Sequence, residues 1–281
     1  MRFSRCYLEI TNRCNLACSF CPKTKRPART LTAEEFRLLA GKLRAYTDYL
    51  YLHVMGEPLL HPQLPQLRGL CRELDFRANL TTNGTLLPNK QAQLLAAPAL
   101  RKVSISLHSF EANAAGDFSA YLSGCTDFAA AAKRAGILTD FRLWNLDGAA
   151  TRGLHDQNDA ILDHLHRVFP GAWQKNTWGW WLEDKIFLSY GERFDWPDED
   201  AQDHGTAGRC HALSDQLAVL CDGTVVPCCL DHEGKLALGN LFTQELGEIL
   251  ASPRACRMQD GFARGERSEP LCRRCGYSER F

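Results

Sequence analysis

Six short apolar or alternating segments, separated by helix-like ones, constrain the fold of this 281-residue chain more than any other feature. They are Cys6–Thr11, Tyr49–Val54, Phe76–Thr82, Lys102–His108, Asp140–Leu146 and Lys185–Tyr190. Helical patterns at Thr32–Tyr46, Pro62–Leu74, Pro88–Leu95 and Thr126–Ala135 lie between the first five, and Asp156–Val168 precedes the sixth. Thr32 followed by Glu35 is a capping-box start. Strands joined through helices run parallel, because only a crossover of that length returns the chain to the same end of the sheet. The sequence therefore predicts an α/β fold of parallel βα units, in a closed or partly closed barrel.

The polar residues gather at the C-terminal strand ends. Ser104, Ser106 and His108 alternate with Val103, Ile105 and Leu107, so the two sets face opposite ways. The second strand runs into Met55-Gly56-Glu57-Pro58, the third into Asn83-Gly84 and the fifth through Arg142 to Asp147. In a parallel barrel these ends form one ligand-binding face. The loop after the first strand opens on that face too.

That loop is Cys14-Asn15-Leu16-Ala17-Cys18-Ser19-Phe20-Cys21, three thiols in eight residues. Four thiolates close a [4Fe–4S] cluster, whereas three leave one iron open. Structural zinc takes four ligands, and no further Cys or His follows until His53. The chain holds 13 cysteines, and seven of them (Cys210, Cys221, Cys228, Cys229, Cys256, Cys272, Cys275) fall near its end. Clustering and an odd count speak for metal ligation over a disulfide framework. Cys6, Cys71 and Cys125 read as small buried side chains. There is no signal-peptide pattern and no long apolar run, so a cytoplasmic protein without membrane attachment is expected. Net charge is zero, which disfavours a nucleic-acid partner.

The Cys14-x3-Cys18-x2-Cys21 loop, placed after a first strand and followed by Gly56-Glu57-Pro58, closely resembles the signature of radical S-adenosylmethionine (SAM) enzymes. The resemblance spans roughly residues 5–190. It implies a partial (β/α)6 TIM-like barrel, with SAM chelating the open iron of a [4Fe–4S] cluster on Cys14, Cys18 and Cys21. Gly56 and Glu57 match the motif that receives the SAM amino group, with Met55 where the family has another glycine. Ser106, together with His108 or Asn83, matches the ribose-contacting positions. Phe20 would lie beside the adenine, and Arg142 is a candidate for the SAM carboxylate. A low-potential electron donor such as flavodoxin or ferredoxin is implied as a partner. The basic run Lys23, Lys25, Arg26, Arg29 reads either as a solvated loop or as a greeting for an anionic substrate.

Beyond an acidic stretch at 196–204 that reads as a linker, residues 205–281 turn to short turns, glycines and cysteines. Leu220–Val226 reads as a β-hairpin with an Asp222-Gly223 turn. With Cys210, Cys228 and Cys272-x2-Cys275 this segment resembles the twitch domain, a shortened SPASM extension, and so implies one auxiliary [4Fe–4S] cluster on those four cysteines. The expected organisation is a barrel at 1–195, the linker, and a twitch domain at 205–281. A zinc ribbon is the competing reading, and Cys256 the replacement ligand if one of the four is misplaced. Five of six tryptophans (Trp173, Trp178, Trp180, Trp181, Trp196) crowd residues 173–196, as a hydrophobic seam or a stacking wall.

A fully ligated auxiliary cluster suits electron transfer. The expectation is a radical SAM oxidoreductase that dehydrogenates or cross-links a small-molecule or peptide substrate. The alternatives are an epimerase with a cysteine hydrogen donor, for which Cys125 at the start of a predicted helix is a candidate, and a non-catalytic iron–sulfur or zinc protein. For a catalytic base, Tyr190, Glu192, Asp147 and His155 lie near strand ends.

Overall fold

The computed structural model describes residues 2–96, 99–113, 116–146, 157–177 and 179–280; Asp147, His155 and Trp178 lie outside them. In chain order the elements are β1 (Arg5–Leu8), α1 (Ala33–Leu43), β2 (Tyr49–Tyr51), α2 (Leu64–Glu73), β3 (Arg77–Thr82), α3 (Leu87–Leu95), β4 (Leu100–Ser106), α4 (Phe118–Arg134), β5 (Leu138–Leu146) and α5 (Asn158–Val168). Then follow β6 (Gln174–Asn176), β7 (Gly179–Glu183), β8 (Ile186–Glu192), β9 (Gln216–Val219), β10 (Thr224–Val226), β11 (Gly239–Asn240), α6 (Leu246–Leu250), α7 (Pro253–Ala263) and α8 (Pro270–Arg273).

The six expected strands form the parallel run β1-β2-β3-β4-β5-β8 of one open sheet, a partial (β/α)6 barrel. Cys6, Leu8, Leu50, Leu52, Ala78, Leu80, Val103, Ile105, Phe141 and Leu143 are buried toward the helices. Each Leu, Ile, Val or Phe among them stabilises the fold by about 1.5–3 kcal/mol. The alternate residues, Tyr7, Tyr51, Thr81, Ser104, Arg142 and Trp144, turn inward. Thr32 caps α1 with the reciprocal bonds the sequence predicts: its Oγ1 accepts from Glu35 N–H at 3.1 Å, and Glu35 Oε2 accepts from Thr32 N–H at 2.9 Å.

Three features differ from expectation. Helix α4 begins at Phe118, not Thr126, because Asp117 caps it through Ala120 N–H at 3.0 Å. Cys125 is therefore mid-helix, away from the N-terminal dipole. The tryptophan segment forms β6 and β7, an antiparallel hairpin extending the sheet beyond β8. And β9, from the C-terminal segment, lies parallel to β1 (Cys6 against Leu217), so the sheet is continuous into residues 216–240. The expected hairpin joins β9 to β10, with Gly223 at φ +84° and a Cβ there only 2.4 Å from the Phe242 ring. Glycine is required at that turn.

Candidate functional site

The cysteine loop sits over the C-terminal ends of the strands and is tied down from both sides. Within it, Cys21 N–H donates to Cys18 O at 3.3 Å and Leu16 N–H to Cys14 Sγ at 3.5 Å. On one side, Gly56 (φ +80°) passes so close to the loop that a Cβ would lie 2.5 Å from Thr11 O and 2.8 Å from Arg13 O. The next residue, Glu57, donates its N–H to Arg13 O at 2.8 Å. Its buried carboxyl accepts from Asn83 N–H at 2.7 Å and from Leu59 N–H at 2.9 Å. Burial pushes Glu57 up to about 7 despite those donors. Asn83 in turn donates to Asn15 Oδ1 at 2.9 Å and faces Cys14 Sγ at 4.0 Å. Tyr121 OH donates to the Asn83 carbonyl at 2.8 Å.

On the other side, Glu111 Oε1 accepts from Ser19 N–H and Oγ, each at 2.7 Å, and Cys18 Sγ lies 3.7 Å from Ser109 O. Phe20 packs on the His108 ring with centroids 4.6 Å apart. His108 Nδ1 donates to Arg142 O at 3.0 Å, and burial holds this ring neutral with its pKa down at about 4. Trp196, from the linker segment, donates to Phe20 O at 3.2 Å. Its strand of chain and the loop border an open cleft of about 700 Å³, lined by Ser19, Phe20, Arg193, Phe194, Trp196 and Asp198. Glu57, Asn83 and Cys14 thus meet on one flank, and Phe20 and His108 on the other. Ser106 and Arg142 lie below them, on the inner face of β4 and β5.

A buried group outside every sequence motif holds this assembly together. Glu9, just past the end of β1, is fully buried and forms a two-pronged pair with Arg26, in the basic run that continues the cysteine loop, at 2.7 and 2.8 Å. It also accepts from Met55 N–H at 3.1 Å and Cys221 N–H at 3.0 Å. One carboxylate thereby joins the loop, the strand-two end and the C-terminal hairpin. Arg29 likewise bonds Cys221 O and Glu35, each at 2.5 Å. So two cations of the basic run are structural, and neither expected reading describes them. A lone acid inside Leu8-Glu9-Ile10 was the available signal, since a buried charge needs a partner.

The second cysteine set comes from distant segments. Cys210, Cys228, Cys272 and Cys275 all line one cavity with Leu230, Leu236, Leu271 and Tyr277. Burial raises each thiol, Cys275 to about 11, and at Cys228 the neighbouring Cys229 and then the other three add to the effect by repulsion. Such thiols ionise readily only when a metal takes the charge. Ala212 N–H, 3.4 Å from Cys210 Sγ, adds a backbone donor of the kind that tunes cluster potential. Cys256 is exposed on α7, with its thiol 3.8 Å from Leu250 O, and does not line the cavity. Among the described residues no three His, Cys, Asp or Glu side chains are grouped to share a single metal ion. A cluster places its thiolates on separate irons, so it asks for wider spacing. The all-thiol donor sets fit [4Fe–4S] clusters, and the Gly56–Glu57 turn beside Cys14 fits a SAM amino group.

Two weaker candidates fall elsewhere. Cys125 is in the core behind Gly84, whose Cβ would lie 3.0 Å from its sulfur, and burial pushes its thiol to about 12. Tyr190 pairs with Leu143 in register and packs on the helix-facing core. Cys229, like Tyr7 and Val54, packs on the buried Ala218, Leu220 and Val226, and its thiol meets the Tyr7 hydroxyl.

Residues 8–141 match the radical SAM superfamily, and residues 210–276 match the SPASM iron–sulfur cluster-binding domain. The Fe-coproporphyrin III synthase of Methanosarcina barkeri is 34% identical over 35% of this chain but 26% of its own length. A GTP 3′,8-cyclase of Synechococcus is 31% identical over 57% of this chain and 52% of its own. The chain thus spans from a quarter to about half of these curated relatives. A SAM-dependent 2-deoxy-scyllo-inosamine dehydrogenase of Niallia circulans is 23% identical over 97% of this chain and 92% of its own. Among solved structures, anSMEcpe with bound AdoMet superposes with a TM-score of 0.64 at 14% identity, covering 93% of this chain and 81% of that one. BtrN with AdoMet and 2-DOIA gives 0.55 at 19% identity, covering 98% and 93%. With its three-cysteine loop over a partial barrel and its four-cysteine C-terminal segment, this chain carries a radical SAM domain at 8–141 and a SPASM-type iron–sulfur domain at 210–276.

Proposed function

We propose that this protein oxidises a small-molecule or peptide substrate by two electrons, using Cys14, Cys18 and Cys21 for the SAM-binding cluster and Cys210, Cys228, Cys272 and Cys275 for an auxiliary one. The observation that carries the reading is the second donor set: four thiols around one cavity leave no open coordination position, which suits electron acceptance. When bound, the clusters and SAM supply homolytic chemistry in which one electron and SAM give methionine and 5′-deoxyadenosine, and the substrate loses a hydrogen atom, a proton and an electron. The chain's own part is positional. Glu57 and Asn83 orient the amino-acid end of SAM beside Cys14, Phe20 and His108 flank the nucleoside, and the cleft by Trp196 admits substrate. The priming electron comes from a flavodoxin- or ferredoxin-type donor. A relative of matching length named as a SAM-dependent dehydrogenase supports oxidation.

One observation favours a second reading, epimerisation. Its hydrogen donor would be Cys229, beside Tyr7 in the interior, and not Cys125. Anaerobically reconstituted protein, given dithionite and SAM, is expected to release 5′-deoxyadenosine, and a substrate found by screening for faster release should lose two hydrogens. A product of unchanged mass in H2O that carries one deuterium when formed in D2O, with that label abolished by Cys229→Ala, would replace oxidation with epimerisation.

A further inference from the structure

We propose that Arg267 fits the second cysteine site for electron acceptance: it is the built-in cation that raises the reduction potential of a cluster on Cys210, Cys228, Cys272 and Cys275. The inference rests on the function proposed above and names the residue that makes the auxiliary site an acceptor.

Among the described residues that line the four-cysteine cavity, Arg267 alone carries a positive charge. It is pinned there to chain on both sides of the ligand set. Its backbone N–H donates to Thr206 O at 2.6 Å. Its Nη2 donates to His204 O at 3.2 Å and to Ala207 O at 2.5 Å, in the stretch leading to Cys210. Its Nη1 donates to Ser278 Oγ at 2.6 Å and to Glu279 Oε1 at 2.8 Å, just past Cys275. Gly208 makes room for the guanidinium, since a Cβ at that position would lie 2.7 Å from its central carbon.

A guanidinium presents five N–H donors, and those contacts use the four on Nη1 and Nη2. The fifth, on Nε, is buried and has no acceptor. A buried donor left unsatisfied is costly, so a fold that locks the other four in place gives this one a partner. The other polar groups on the wall are engaged elsewhere. Asp231 accepts from Lys235 N–H at 2.9 Å and from Leu236 N–H at 2.8 Å, and Ser278 Oγ donates to Cys275 O at 2.7 Å. Cluster sulfurs are the acceptors that a filled cavity adds.

The charge is as well placed as the donor. The Arg267 side chain is 4% exposed, whereas its only carboxylate partner, Glu279, is 51% exposed. The counter-charge therefore sits half in water, where it is screened, while the cation lines an enclosed space of low dielectric. Reduction adds one electron to a cluster. A fixed cation and a free N–H beside it favour the reduced form and so raise the potential. A higher potential is what the site needs in order to take an electron from a substrate radical.

The test uses full-length protein carrying Cys14→Ala, Cys18→Ala and Cys21→Ala, reconstituted anaerobically so that the auxiliary cluster alone is read. Its midpoint potential is measured by redox titration followed by electron paramagnetic resonance. Adding Arg267→Gln should lower the potential by about 59 mV or more, a tenfold or larger fall in the one-electron reduction constant, with about four irons retained. Arg267→Lys keeps the charge and should restore most of the loss. Glu279→Gln removes the counter-charge and should move the potential upward, a direction that loosened packing does not predict. An unchanged potential in iron-loaded Arg267→Gln protein overturns the proposal, as does an Arg267→Lys protein shifted as far as Arg267→Gln. If Arg267→Gln protein fails to hold its iron, Glu279→Gln decides, since a rise supports the proposal and an unchanged potential overturns it. Absence of iron from the parent protein, before Arg267 is touched, would instead sink the auxiliary-cluster reading itself.

Discussion

The two cysteine sites are built in opposite ways. Cys14, Cys18 and Cys21 come from one local loop, with Cys14 exposed, and hydrogen bonds from several strand ends hold that loop in place. Cys210, Cys228, Cys272 and Cys275 come from segments up to 65 residues apart and meet in a cavity lined by leucines. A local loop can leave a coordination position open because its geometry does not depend on a fourth ligand. A site assembled by tertiary packing gains most by closing fully around its cluster. The first arrangement suits binding and activating a ligand, the second suits passing electrons through a shielded centre.

Substitutions can break or sharpen this contrast. The largest effect is expected from Cys14→Ala, Cys18→Ala or Cys21→Ala, each of which should abolish reductive SAM cleavage while leaving the auxiliary iron; iron quantitation beside a 5′-deoxyadenosine assay checks both. Next comes Glu9→Ala. It strands Arg26 and two backbone donors, so it should cost about 3–5 kcal/mol in chemical denaturation. Because Glu9 joins the loop to the C-terminal hairpin, this one change should also loosen both sites. Retention of full iron at both would show them to be mechanically independent.

Glu57 gives a smaller, pH-dependent effect. Its folded-state value, about 7, lies above the ordinary 4.5 because of burial, so the folded protein holds that proton longer than the unfolded chain. The stabilisation is complete below about pH 4.5 and is lost as pH rises through about 7, a change of up to about 3 kcal/mol. Denaturation of SAM-free protein between pH 5 and 8 should show this fall, and Glu57→Gln should flatten it. Cys125→Ala should be the mildest, about 1 kcal/mol of stability with radical chemistry unaffected. A loss of turnover there would return Cys125 to the site.

The sequence made the loop, the order of the barrel strands and the α1 cap legible, because each depends on residues close together in the chain. What it hid is long-range. Parallel pairing of β9 with β1 joins Cys6 to Leu217, and no local pattern in either strand announces the other. The start of α4 is hidden in the sequence because Ser119, Ser123 and Gly124 dilute its apolar pattern and the capping signal lies in the single residue Asp117. Without that signal Cys125 stands at a helix start. Tyr190 lies near a strand end in the sequence, whereas register gives it the helix-facing side. Glu9 and Arg26 are ordinary residues until the fold buries them together.

The most direct measurement is iron content and the spectroscopic response to SAM in wild type and in Cys272→Ala/Cys275→Ala protein, both reconstituted anaerobically. Two separate clusters predict about eight irons in the wild type and about four in the variant, with the variant's remaining cluster still perturbed by SAM and still producing 5′-deoxyadenosine. Loss of all iron from the variant, or a colourless wild type holding zinc, would contradict the account.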